Sequence, residues 1–125
     1  MGAGRSGLFN GTKGGKTTVE SNAQRMSGKY PLTQHGYFGS PGKNSGVRVI
    51  YSRNPIETAK DFYTNISVGG KIDILNGGKL KICRLSDGTI ITYREVSKSK
   101  SPAVDINISA PQNIKEQKIH FEEKK

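Results

Sequence analysis

Hydrophobic and polar residues alternate along much of the C-terminal half of the chain, in short runs separated by turn residues. Val104, Ile106 and Ile108 alternate with polar neighbours, which is the period of a strand with one buried face. Asn-Gly and Asp-Gly pairs, which favour tight hairpins, separate several of the runs. The pattern predicts strands at 71–75, 79–85, 89–96, 103–109 and 114–121.

A helical period precedes these strands. Asn54 is a suitable N-cap, Pro55 suits the first helical position, and Glu57 has the spacing of a capping box. Apolar residues then recur at helical spacing as far as Ile66, and Gly69-Gly70 follows as a stop. The sequence therefore predicts one main helix between these limits.

The region before the main helix is less regular. Residues 1–16 are rich in Gly, Lys and Asn, which predicts a flexible basic leader or linker. A short helix is predicted from a cap at Thr17 or Thr18 to about Met26. Residues 27–46 interleave aromatic residues with Gly and Pro and predict an irregular loop.

Together these elements predict an α+β domain. An N-terminal helical or irregular segment precedes one main helix, which packs on a four- to five-stranded antiparallel sheet. Val47–Tyr51 is predicted to be a short strand or an extended segment leading into that helix. The expected division is a leader at 1–16 and one folded domain at 17–125, with a core at about 47–122.

Composition adds a strong positive charge. The 125 residues include 20 Lys and Arg against 10 Asp and Glu, a formal charge of +10. Residues 1–53 hold eight of these cations with Glu20 as their one acid, a net charge of +7, and 11 of the 16 glycines. A mobile basic arm that contacts nucleic acid with little sequence preference is the simplest explanation, and solubility alone is the alternative.

Several classes of protein do not fit this composition. No run approaches the roughly 18–20 apolar residues of a membrane span, and the first residues lack the apolar core of a signal peptide. The one cysteine, Cys83, excludes an internal disulfide framework, and the only histidines, His35 and His120, leave no zinc cluster. We therefore expect no cofactor, and chemistry that is metal-free or uses hard ions bound by carboxylates.

Polar positions of the later strands carry the candidate chemistry. By alternation, Lys118 and His120 lie on the open face of the last strand. If Ile91 faces the helix, Thr92 and Arg94 share that open face with His120. A sheet face that carries Arg, His, Thr, Asn and Lys suits a phosphodiester.

The residues on this face match the needs of RNA cleavage. Attack by the 2′-hydroxyl needs a base for that hydroxyl, an acid for the 5′ oxygen, and cations for the charge on phosphorus. His120 suits acid–base work near neutral pH, and Arg94 supplies a cation. Ser97 and Lys98 either bind a phosphate or form only a solvated hairpin tip. His35 is a second imidazole partner, a residue that stacks on a base, or an ordinary loop residue.

Four segments, in order, resemble the C-terminal ribonuclease toxin domains of bacterial polymorphic and contact-dependent growth-inhibition systems. The resemblance is to the barnase, EndoU, colicin D and RelE superfamily, and the order of all four segments carries it. The segments are the helix at 54–63, the strand and loop at 87–97, and the strands at 101–108 and 114–121.

The resemblance implies a helix packed on a four-stranded antiparallel sheet and RNA cleavage without a metal. It also implies delivery on the tip of a larger secreted protein and neutralisation by a cognate immunity protein. The matching active-site residues are Arg94, Ser97 and His120. If the chain uses a different set, the substitutes are Glu95, Lys98 or Thr92.

We therefore predict a metal-independent endoribonuclease toxin domain, secreted as part of a larger protein and active on tRNA or rRNA in the cytoplasm of a target bacterium. Its expected inhibitor is an acidic immunity protein. A non-catalytic basic RNA-binding module is the alternative, and a DNase toxin is a third hypothesis. The predicted catalytic residues are His120, Arg94 and Ser97, and the predicted substrate-binding residues are Thr92, Lys98, Asn107, Lys118 and His35.

Overall fold

The computed structural model describes residues 18–97, 100–109 and 112–124. The predicted leader at 1–16 and the predicted phosphate-binding residue Lys98 lie outside these residues.

Within the described residues, the fold consists of seven strands and two helices. The helices are α1, Val19–Arg25, and α2, Pro55–Ile66. The strands are β1 (Ser40–Pro41), β2 (Val47–Ser52), β3 (Lys71–Leu75), β4 (Leu80–Arg84), β5 (Ile90–Arg94), β6 (Ala103–Asn107) and β7 (Gln117–Glu123). A 3-10 turn, Asn76–Gly78, joins β3 to β4.

All seven strands form one sheet in the order β1-β2-β7-β6-β5-β4-β3. Strands β3 to β7 form an antiparallel meander, whereas β2 runs parallel to β7 and β1 runs antiparallel to β2. The α+β class is confirmed. The predicted four- to five-stranded antiparallel sheet is wrong, because the sheet has seven strands and includes a parallel pair. That pair joins Val47 to Lys118 and Ser52 to Glu123, a non-local pairing that leaves no periodic signal in the sequence.

The two helix starts use different caps. At α1, Ser21 N donates to Thr18 Oγ1 at 3.0 Å and Thr18 N donates to Ser21 Oγ at 3.3 Å, a capping box that confirms the predicted cap. At α2, Asn54 is the cap residue, but its side chain makes no capping bond. The backbone N–H of Asn54 instead donates to Ser52 Oγ at 3.0 Å. The predicted capping box is therefore wrong, although the predicted helix is confirmed.

The core lies between the helices and one face of the sheet. The ring of Phe62 from α2 contacts the rings of Tyr30, Phe38 and Phe121, with centroids 5.2, 4.9 and 5.6 Å apart. Ile91 of β5 is completely buried on the same side of the sheet. Thr92 and Arg94, which alternate with it, therefore have their side chains on the opposite face. The opposite face of the sheet is the open face.

The first described residues are part of this core. Val19 and Ala23 of α1 are buried, and the side chain of Asn22 donates to Ile66 O at 2.8 Å and to Val68 O at 3.0 Å. The mobile arm that composition indicates therefore does not include α1, because α1 packs against the end of α2.

Candidate active site

His120, Ala103 and Arg94 form a row across β7, β6 and β5 on the open face. The register pairs His120 with Ala103, and Ala103 with Arg94. Because neighbouring strands lie about 4.8 Å apart, the Cα atoms of His120 and Arg94 are about 10 Å apart. Ala103 is completely buried, and its single methyl group is the smallest side chain of the row. We call these three residues the catalytic row.

A second row runs beside the first. Lys118 pairs with Asp105, and Asp105 pairs with Thr92. The Asp105 carboxylate also reaches the first row, since its Oδ2 lies 3.8 Å from Arg94 Nε. The side chain of Arg94 is 49% exposed and that of Asp105 is 22% exposed, so much of the guanidinium is in solvent.

The environment of His120 favours a neutral imidazole. Ser101 Oγ lies 3.2 Å from Nδ1 of the ring. Partial burial lowers the pKa of His120 below its usual value of 6.5, and the positive charge of Lys118 lowers it further. Glu122 and Asp105 act on this pKa in the opposite direction. The net direction is downward, so the imidazole is mainly neutral at pH 7 and able to accept a proton.

The loop between β5 and β6 brings Ser101 to the imidazole. Ser97 N donates to Ser101 O at 3.0 Å and Lys100 N donates to Ser97 O at 2.9 Å, which closes the loop on itself. Phe121 N donates to Pro102 O at 2.9 Å and ties the end of the loop to β7. Ser97, predicted to be catalytic, lies half-buried at the start of this loop. Ser101 was not predicted, and only the loop conformation reveals it.

His35 lies elsewhere. Its side chain is exposed and Nε2 is 3.4 Å from Gln34 Nε2. It lines a groove with Thr33, Asn113 and Lys115, and no residue of the catalytic row lines that groove. The structure therefore does not bring the two histidines together.

A groove of about 410 Å³ adjoins the second row. Lys118 and Asn107, both predicted to bind substrate, line it, and so does Asp105. Tyr37 and Val47 also line it. Sequence reasoning noticed Tyr37 only as an aromatic residue in a Gly-rich loop and gave it no role. We call this the Tyr37 groove.

Two general findings complete the description of the site. Across residues 18–97, 100–109 and 112–124, no group of three or more His, Cys, Asp and Glu side chains is arranged to hold a metal ion. Over the same residues, neither helix has the length and apolar character to cross a membrane.

Comparison of the chain with protein-family models, with curated proteins and with solved structures gives no significant match. The resemblance to toxin ribonucleases therefore depends on the order of the four sequence segments alone.

Proposed function

We propose that this chain is a metal-independent endoribonuclease domain whose active site is the catalytic row. One observation carries the proposal: His120 and Arg94 flank a single small residue on the open sheet face. An imidazole and a guanidinium at this separation supply a proton acceptor and a phosphate-binding cation to the same phosphodiester.

In the proposed reaction, His120 acts first as a general base. In the tautomer that carries the proton on Nδ1, this N–H donates to Ser101 Oγ and directs Nε2 toward the substrate. Nε2 takes the proton of the ribose 2′-hydroxyl, and the 2′ oxygen attacks the adjacent phosphorus. The bond from phosphorus to the 5′ oxygen breaks, which leaves a 2′,3′-cyclic phosphate. The leaving 5′ oxygen takes the proton from the His120 imidazolium, which yields a 5′-hydroxyl and restores the neutral imidazole.

Arg94 stabilises the charge that develops during this step. Its guanidinium donates hydrogen bonds to the phosphorane oxygens, where negative charge is greatest in the transition state. The Asp105 carboxylate, with Oδ2 3.8 Å from Nε, is the acidic neighbour of this guanidinium. Lys118, two residues from His120 along β7, adds a second cation for the phosphate or for the leaving oxygen.

The proposed biological role is that of a toxin domain carried by a larger secreted protein. Its support is the order of the four segments and the formal charge of +10. The cognate immunity protein of this proposal is acidic, because an anionic surface competes most directly with RNA for a cationic site. Association with it should be fast and should slow as salt is added. A basic immunity protein, or one that binds the helix face while RNA cleavage persists in the complex, would contradict this step.

The function is tested by incubating the purified domain with RNA in EDTA and identifying the product ends. We expect cleavage that survives EDTA and yields 2′,3′-cyclic phosphate and 5′-hydroxyl ends. Products with 3′-hydroxyl ends, or activity that requires Mg²⁺, would rule out the mechanism. RNA binding without cleavage would instead support the RNA-binding module, and cleavage of DNA alone would support the DNase toxin.

A further inference from the structure

We infer that the Tyr37 groove binds one unpaired nucleobase next to the cleaved bond, so that the domain cuts single-stranded RNA rather than duplex. This inference rests on the proposed ribonuclease function and adds to it the class of RNA. The groove has the volume of a small-ligand site, since such sites span roughly 300–1,000 Å³ and this one is about 410 Å³.

The position of the groove relative to the catalytic row is the first support. Lys118 and Asp105 line the groove, and each lies two residues along its strand from a member of the row, His120 and Ala103. Two residues of a strand span about 7 Å. A phosphate held between His120 and Arg94 therefore leaves the base of an adjoining nucleotide within reach of the groove.

The second support is that Tyr37 is held in place before any ligand arrives. The Arg48 guanidinium lies 4.9 Å from the centroid of the Tyr37 ring. Arg48 is itself fixed, because Nε donates to Phe38 O at 2.9 Å and one Nη donates to Gly39 O at 2.8 Å. Stacking on a fixed ring costs little conformational entropy, so a ring held in this way at the edge of the groove is suited to a flat base.

Backbone hydrogen bonds fix the loop that carries the ring. Thr33 N donates to Tyr37 O at 2.8 Å, and Tyr37 N donates to Thr33 Oγ1 at 3.1 Å. The next residue, Phe38, donates its N–H to Gln117 Oε1 at 2.8 Å and so ties the loop to β7. Hydrogen bonds therefore connect the loop that carries the ring to the strand that carries His120.

The polar residues of the groove match the edge of a base. Asn107 offers a carboxamide that both donates and accepts hydrogen bonds, and Glu116 offers a carboxylate whose Oε1 accepts from Ile108 N at 3.2 Å. A base in a duplex is stacked between its neighbours and paired on its edge, so only an unpaired base can enter such a groove.

The test measures kcat and KM on a short single-stranded RNA with one mapped cleavage site. The same RNA is then made with each nucleotide in turn replaced by an abasic one. For the wild type, removing the base at one position beside the cleaved bond should raise KM roughly 5- to 100-fold, the range of base–aromatic stacking. Tyr37→Ala should raise KM by a similar factor on the intact RNA. For this variant, KM on the abasic RNA should be no higher than on the intact RNA.

Three other variants separate stacking from simple structural damage. Tyr37→Phe keeps the ring and should keep the dependence of KM on that base. Tyr37→Leu keeps apolar bulk without a ring and should lose this dependence, as Tyr37→Ala does. Tyr51→Ala is the matched control, because Tyr51 is 56% exposed on the same face, beyond the catalytic row from the groove. Equal KM values for all these proteins, or equal cleavage of a duplex of the same sequence, would overturn the inference.

The inference and the proposed function fail in different ways. If the wild type cleaves RNA but abasic substitution has the same effect in wild type and Tyr37→Ala, the groove proposal fails and the ribonuclease stands. If the wild type does not cleave RNA, the ribonuclease proposal fails, and affinity for the labelled RNA then tests the groove. If the affinity for RNA depends on Tyr37 and on that one base, the groove remains a base-binding site. If the affinity depends on neither, the groove proposal is wrong.

Discussion

Ala103 lies directly opposite His120 in the antiparallel pairing of β6 and β7. The next strand places Arg94 on its other side. Residues directly opposite in such a ladder have Cβ atoms about 5 Å apart, so the size of residue 103 controls how closely its neighbours approach. The smallness of Ala103 is therefore part of the proposed site, although its methyl group has no chemistry of its own.

Ala103→Leu should lower kcat at least about 10-fold, because the added carbons separate His120 from Arg94 and an error of 1 Å can cost about 10² in rate. The same crowding should cost about 1–3 kcal/mol of unfolding free energy. Initial rates and urea denaturation measure the two effects. Ala103→Gly is the matched control and should stay active, since it leaves the space open; a fully active Ala103→Leu would show that the space has no role.

His120→Ala and Arg94→Ala should each lower kcat by about 10²-fold or more, the scale of losing an acid–base group or a transition-state donor. Both proteins should remain folded, because neither side chain belongs to the core cluster. Single-turnover cleavage and circular dichroism check the two statements. Arg84→Ala is the control for Arg94, because Arg84 is an exposed arginine on the next strand, ion-paired with Asp73 at 3.0 Å. If His120→Ala retained full activity, the chemistry would have to lie elsewhere.

Alternation alone predicts the β7 part of the candidate site, and it predicts the β5 part once the direction of that strand is known. One face of β5 and β7 is packed against the helices, so period 2 places Thr92, Arg94, Lys118 and His120 together on the other face. For β5, alternation does not say which face is buried, because Ile90 and Ile91 are equally hydrophobic. The structure answers this by placing Ile91 in the core.

Contacts between distant segments are the part that the sequence does not predict. The parallel pairing of β2 with β7 and the contact of Ser101 with His120 depend on where a loop or strand lies in space, and neither has a local period. Tyr37 reaches its groove through a loop fixed by Gln117, which lies far along the chain. Such positions follow from tertiary packing, and residue type alone does not reveal them.

Asn22→Ala should lower the free energy of unfolding by about 1–3 kcal/mol, because it removes the side-chain donor to a buried carbonyl, Ile66 O, and to a partly buried one, Val68 O. Urea denaturation followed by circular dichroism gives this value. Gln24→Ala is the control, since Gln24 lies exposed in the same helix and its loss should change stability by no more than about 0.5 kcal/mol. Equal stabilities for the two variants would mean that α1 is not anchored as the structure indicates.

The pH dependence of cleavage should report the ionisation of His120. Because its pKa in the folded protein is below 6.5, kcat/KM should rise on an acid limb with an apparent pKa below 6.5 and be level near pH 7. The unfolded chain, with the ordinary pKa, binds more protons in this range. The contribution of His120 to stability is therefore present above about pH 6.5 and declines as pH falls through the folded pKa.

Substitutions of charged neighbours should move this acid limb in opposite directions. Lys118→Gln removes a charge that lowers the pKa of His120, so the limb should move to higher pH, and Glu122→Gln should move it to lower pH. Lys71→Gln, on the far edge strand β3, is the matched control and should leave the limb in place. Lys118 also lines the Tyr37 groove, so its loss lowers the height of the profile, but the position of the limb is read independently of that height. A limb that stays at the same pH in Lys118→Gln and Glu122→Gln would assign the observed ionisation to a group other than His120.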